Sequence, residues 1–139
     1  MLKTKLNWTG GIRFEGVGRF GHKIVTDGSR KAGGEESGHT PTELLLWGIA
    51  GCTGVDVVRI LQKQRQQLTG LEIEVIGHQP ETYPKPFEHI EIVYTFRGRK
   101  LDPKKVEQAI ELSESKYCTV SQTVKAECRV TTAFTVVEE

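Results

Sequence analysis

The sequence predicts an α+β fold in which helices pack on antiparallel sheet, and three patterns carry that reading. Apolar and polar residues alternate through the N-terminal third, the period of half-buried strands. A capped, strongly apolar run begins at Thr40, as a central helix would. Beyond it the apolar spacing returns to period two, changes to helical spacing around Val106, and ends in one more strand pattern.

Leu2, Leu6 and Trp8 alternate with Lys3, Lys5 and Asn7, which predicts a first strand ended by Gly10-Gly11. A second strand is expected from Ile12 to Phe20 and a third from His22 to Thr26, with Asp27-Gly28 as the turn after this meander. Gly28 to His39 is Gly-rich, polar and longer than an ordinary connection, so it reads either as a mobile surface loop or as a lid or binding loop. Thr40-Pro41-Thr42-Glu43 starts a helix: Thr40 is the N-cap, Pro41 the first helical residue and Glu43 the reciprocal acid. That helix should reach about Gln66, with its first half apolar on all faces and Arg59, Lys63 and Arg65 at a solvated end.

Strands follow over Leu71 to His78 and His89 to Phe96, the second presenting Ile90, Ile92, Tyr94 and Phe96 on one face. Asp102-Pro103 opens a second helix that carries Val106, Ala109, Ile110 and Leu112 and ends near Lys116. Thr119 to Lys125 can form a short helical segment, and Ala126 to Val137 reads as a last strand.

The length of 139 residues fits a single domain, residues 1–139. With 19 Lys+Arg against 18 Asp+Glu the net charge is +1, which argues against nucleic acid as a partner. The apolar stretch Leu44 to Val58 is interrupted by Gly48, Gly51, Gly54 and Asp56 and falls short of a bilayer span, so no membrane role is expected. The first residues lack a continuous apolar region and a small-residue cleavage site, which makes a cytoplasmic location the default expectation.

Three cysteines are too few for a disulfide framework, and none lies in a C-x-x-C pair or a zinc-type spacing. Gly16-Val17-Gly18-Arg19-Phe20-Gly21 fits a dinucleotide fingerprint by letters alone, but it precedes a strand rather than opening a helix and reads as hairpin residues. The histidines His22, His39, His78 and His89 show no ligand-like spacing. Cys128 falls on the inward face of the last predicted strand, as a small apolar core residue. Cys52 lies mid-helix among small neighbours in Gly51-Cys52-Thr53-Gly54, which leaves room for another group to approach, and Cys118 sits in a break between helices.

Two segments carry a resemblance. Thr40-Pro41-Thr42-Glu43-Leu44-Leu45-Leu46-Trp47-Gly48-Ile49-Ala50-Gly51-Cys52 resembles the first signature of the OsmC/Ohr family, and Lys116-Tyr117-Cys118-Thr119-Val120-Ser121 resembles its second. The resemblance implies an OsmC-like fold over essentially the whole chain: antiparallel sheets, a long central helix and a second helix, in an intertwined homodimer. It also implies a peroxidase, a cysteine-based organic hydroperoxide reductase, that needs no metal or organic cofactor. Cys52 would be oxidised to a sulfenic acid, Cys118 would condense with it, and an external dithiol would reduce the disulfide. Arg13 is the candidate cation for the Cys52 thiolate, because the family's arginine comes from the corresponding strands.

The family's acidic residue stands ten positions before the cysteine, where this chain has Thr42 followed by Glu43, so Glu43 is either a capping acid or a catalytic one. Asp56, one turn beyond Cys52, would raise the thiol pKa unless paired with a cation and is a second candidate for orienting Arg13. The alternative function is a non-catalytic dimer that senses oxidants or holds an apolar ligand.

Overall fold

The computed structural model describes all 139 residues. They form two compact units, Met1–Leu45 and Leu46–Glu139.

In the first unit, Gly10 and Gly11 take positive φ, +115° and +56°, and close the turn between β1 (Asn7–Gly10) and β2 (Arg13–Val17). A second turn, with Gly21 at φ +88°, links β2 to β3 (Lys23–Thr26) and gives a three-stranded antiparallel sheet in the order β1-β2-β3. Gly16 to Gly21 is therefore a hairpin, as its position before a strand predicts. The first strand begins later than the alternation suggests, and Leu2, Leu6 and Trp8 stay exposed rather than half-buried.

The segment after β3 is organised around one carboxylate. Asp27 accepts from the backbone N–H groups of Gly28 (2.8 Å), Glu35 (3.2 Å) and Ser37 (3.1 Å) and from the Ser37 hydroxyl (2.6 Å). This wraps the loop, with its 3₁₀ turn Arg30–Ala32, over Asp27. Gly34 is needed for close approach, because a Cβ there would meet the Gly28 carbonyl oxygen at 2.2 Å. The loop reads as a built structure rather than a loose connection.

The second unit starts within α1 (Pro41–Lys63), whose Ile49, Thr53, Val57 and Leu61 recur every four residues and are buried. With 23 residues the helix is long and apolar enough to cross a bilayer by length and composition, contrary to the estimate from its interrupted apolar stretch. Its buried stripe instead joins the protein core, packing with Ile90, Ile92, Tyr94 and Phe96 of β5 (His89–Arg99) and Val106, Ala109 and Ile110 of α2 (Pro103–Leu112). Outside that stripe Leu45, Trp47 and Val55 remain exposed, so the first half of α1 is apolar all round without being buried all round.

β4 (Gln67–His78) pairs antiparallel with β5 along its full length. The last strand, β6 (Arg129–Glu138), pairs with β5 in parallel, with His89 opposite Arg129 and Gly98 opposite Glu138. The α+β expectation holds, and the all-antiparallel sheet is corrected to a mixed one, order β4-β5-β6. The cause is the connection: residues 100–128 carry α2, a π-helical turn Ser113–Tyr117 and α3 (Thr119–Val124), and this crossover returns the chain to the starting end of β5.

Ser37 and the loop amides hold the Asp27 carboxyl down at about 2, against an ordinary 3.8. A carboxyl depressed by folding stabilises above its unfolded pKa and loses that contribution as pH falls through its folded one. Protection of the Gly28, Glu35 and Ser37 amides against exchange should therefore hold down to about pH 4 and fall from there towards pH 2, and Asp27→Asn should show weak protection already at neutral pH. Equal protection at pH 2 and pH 7 would contradict this role.

Candidate functional site

The site grows from Thr53, a polar residue on the buried stripe of α1. Its hydroxyl is 2.7 Å from the Tyr94 hydroxyl on β5 and 2.9 Å from the Ser113 hydroxyl at the start of the π turn, and Ser113 in turn donates to Asp56 Oδ2 at 3.0 Å. Tyr94, Thr53 and Ser113 are fully buried, so each hydroxyl depends on the others for its partners. Burial pushes the Tyr94 phenol well above its usual range, and the bond to Thr53 works against that shift.

This chain fixes both cysteines. Cys52 precedes Thr53 on α1 and is half-buried. The π turn ends with the Cys118 N–H donating to the Ser113 carbonyl at 2.8 Å. Cys118 is fully buried and caps α3, its sulfur accepting from the Ser121 N–H at 3.4 Å. Cys52 Sγ, Cys118 Sγ and a carboxylate oxygen of Asp56 lie within 4.8 Å of one another, and the three cysteines are all free thiols. A disulfide needs sulfurs about 2.05 Å apart, so the pair requires only a local rotation or shift to close.

Burial raises the Cys118 thiol pKa, the Ser121 N–H and hydroxyl counteract it, and the neighbouring Cys52 raises it further. Burial likewise raises the Glu114 carboxyl, which accepts from the Ser121 hydroxyl at 3.3 Å. Cys118 thus sits beside a second thiol and acidic groups, in a buried setting that favours its neutral form.

Arg13 lies on β2, where it donates to Glu15 and to Thr9 Oγ1, at 3.0 and 3.1 Å. Lys23 also pairs with Glu15, and Lys23 first and Arg13 second hold the Glu15 carboxyl below its usual value. Glu43 closes the capping box: it accepts from the Thr40 N–H at 3.1 Å and the Thr40 hydroxyl at 3.0 Å, and its own N–H faces Thr40 Oγ1 at 3.4 Å. The capping role foreseen for Glu43 is therefore present. Arg13 and Glu43 each find these partners within the first unit, while the second unit brings Cys52 and Cys118 together.

Cys128 precedes β6, donates to the Val124 carbonyl at 3.4 Å and packs against the core, in keeping with a structural thiol. His78 and His89 face each other across β4 and β5 with rings 5.2 Å apart and stand beside Glu91, a cluster that separations along the sequence conceal. Thr53, Tyr94, Ser113 and Ser121 escape sequence reasoning too, because isolated hydroxyls on core-facing positions carry no pattern, and so does the Glu114 carboxyl. Thr53 on the otherwise aliphatic stripe Ile49-Val57-Leu61 is the one available signal.

The sequence pattern of the OsmC-like proteins matches residues 33–133, which include both cysteine segments. The chain belongs to the OsmC-like family. It is 32% identical to Protein YhfA of Escherichia coli over 136 residues, 98% of each chain. Among solved structures it is similar to a protein of Aquifex aeolicus, with 35% identity, a TM-score of 0.86 and coverage of 99% of this chain and 96% of that one. An organic hydroperoxide resistance protein OsmC of Legionella pneumophila shares the OsmC-like fold at 18% identity, with a TM-score of 0.70 and 98% of each chain covered.

Replacing Thr53 by Val keeps the shape of the OsmC-like core but leaves the Tyr94 and Ser113 hydroxyls each short of a buried partner. Urea unfolding should show a loss of about 1–3 kcal/mol. A change within about 0.5 kcal/mol would mean the hydroxyl chain is not a structural tie.

Proposed function

We propose that this protein is a thiol-dependent peroxidase that reduces organic hydroperoxides in oxidative stress defence. The observation that carries the reading is the approach of Cys52 Sγ to Cys118 Sγ, within 4.8 Å, with the more accessible sulfur on the long helix and the buried one behind it. The Cys52 thiolate attacks the outer peroxide oxygen; the O–O bond breaks, the alkoxide takes a proton and leaves as the alcohol, and Cys52 becomes a sulfenic acid. The Cys118 sulfur then displaces the sulfenic oxygen, which departs as water, and the Cys52–Cys118 disulfide forms. An external dithiol restores both thiols and is itself oxidised to a disulfide.

The thiolate is the nucleophile, and a neighbouring cation favours that form. Arg13 is assigned that role from the family resemblance. Glu15 is the acid that fixes its guanidinium, and Glu43, committed to the Thr40 cap, acts on the helix start instead.

A homodimer is part of the same proposal. Trp8, Phe14, Val17 and Phe20 in the first unit, and Trp47 and Val55 on α1, are exposed aromatic and aliphatic side chains of the kind an intersubunit surface would cover. Action in the cytoplasm, where dithiol reductants are maintained, completes the proposal.

The neutral-thiol environment of Cys118 favours one second reading, a slow sensor that is oxidised stoichiometrically without turnover. An apolar-ligand carrier is less well supported. A groove of about 790 Å³ between α2 and β6 mixes Ile110, Val130 and Phe134 with Glu107, Glu111, Glu114, Lys125 and Arg129, so such a ligand would have to cover charged side chains as well.

Turnover of cumene hydroperoxide with a dithiol reductant separates these readings. Cys52→Ser should abolish it, and Cys118→Ser should lower it by at least about tenfold while leaving Cys52 oxidisable. Full turnover in Cys52→Ser would overturn the peroxidase assignment. A wild-type protein that oxidises once without turning over would establish the sensor.

A further inference from the structure

We propose that the reduced protein binds a zinc ion through Cys52 Sγ, Cys118 Sγ and an Asp56 carboxylate oxygen, with the fourth position open to water. Three donors from distant parts of the sequence meet within 4.8 Å of one another. Tetrahedral zinc with bonds of about 2.3 Å to sulfur sets its sulfur ligands about 3.8 Å apart, so the donors need contract by no more than about 1 Å. Cys52 and Asp56 are one helical turn apart on the same face of α1, and Cys118 approaches from the start of α3.

The groups behind the donors point the same way. The Ser113 hydroxyl donates to Asp56 Oδ2, and the Ser121 N–H donates to Cys118 Sγ, the kind of outer support that orients metal ligands and stabilises their charged forms. Two thiols and a carboxylate suit zinc better than a hard cation. On binding, both thiols lose their protons to solvent and the ion holds the two thiolates.

The other cluster of metal-ligating side chains is a poorer cradle. Both ring nitrogens of His89 are engaged, one by Thr131 Oγ1 at 2.7 Å and the other by the Arg129 guanidinium at 3.2 Å, a cation beside the would-be ligand. The His78 and His89 rings also stack nearly parallel, 16° apart, which aims their nitrogens along parallel planes rather than at one point.

A Cys52–Cys118 disulfide would remove two of the three ligands, so oxidation releases the ion, and bound zinc withholds both sulfurs from oxidants. The zinc site does not depend on peroxidase turnover. It is measured without hydroperoxide, and either activity can be absent while the other stands.

The test is titration of the fully reduced full-length protein with zinc against a chromophoric chelator, and with cobalt as a spectroscopic substitute. One equivalent should bind, and cobalt should show thiolate-to-metal charge-transfer absorption. Binding should fall at least about tenfold in Asp56→Asn and further in Cys52→Ser, and it should survive His89→Ala. Wild-type protein oxidised to its intramolecular disulfide supplies a comparison without mutation and should not bind. Cobalt bound without the charge-transfer band, affinity unchanged in the disulfide form, binding lost in His89→Ala but kept in Cys52→Ser, or no stoichiometric binding at all would each overturn the proposal.

Discussion

One hydroxyl holds the second unit's functional geometry together. Thr53 lies at the only polar position on a stripe of α1 that otherwise carries Ile49, Val57 and Leu61, and it bonds to the central strand through Tyr94 and to the end of α2 through Ser113. A buried hydroxyl deprived of its partner costs about 1–3 kcal/mol, so the three elements are registered against each other by chemistry as well as by packing. Cys52 is the residue before Thr53, and the Ser113 carbonyl receives the N–H of Cys118. The two thiols meet because the groups next to them in sequence are tied.

The same construction explains the electrostatics. Asp56 is held by the end of the hydroxyl chain, and Glu114 follows Ser113 directly, so the tie that brings the sulfurs together also brings carboxyl groups. Burial raises Cys118 and Glu114 together, so the buried thiol of the pair stays neutral until a cation arrives. A guanidinium such as Arg13 would prepare it for peroxide chemistry, and a zinc ion would close it. Both are answers to one problem, sulfur and carboxylate crowded in a place with little water.

The parts of this arrangement that can be read from sequence are those fixed by local chemistry. The Thr40 to Glu43 capping box is legible because its partners are three residues apart, and the alternation of Ile90, Ile92, Tyr94 and Phe96 is legible because a strand has period two. The family resemblance likewise rests on two continuous segments. Strand direction is less visible: β6 alternates like any strand, and only the helical crossover before it signals the parallel pairing with β5. The π turn at Ser113–Tyr117 leaves no local trace, since its residues would extend α2 equally well. Asp56 stands beside Cys52 on a helix face and can be noticed for that, whereas its bond to Ser113, 57 residues away, belongs to the folded state alone.

The most direct test of the account is intact mass and peptide mapping of the fully reduced protein after one equivalent of an organic hydroperoxide, followed over seconds to minutes. The account predicts a prompt loss of two hydrogens, mapped to a Cys52–Cys118 disulfide with Cys128 untouched. Thiols that remain unmodified after many minutes, or a disulfide that includes Cys128, would contradict it.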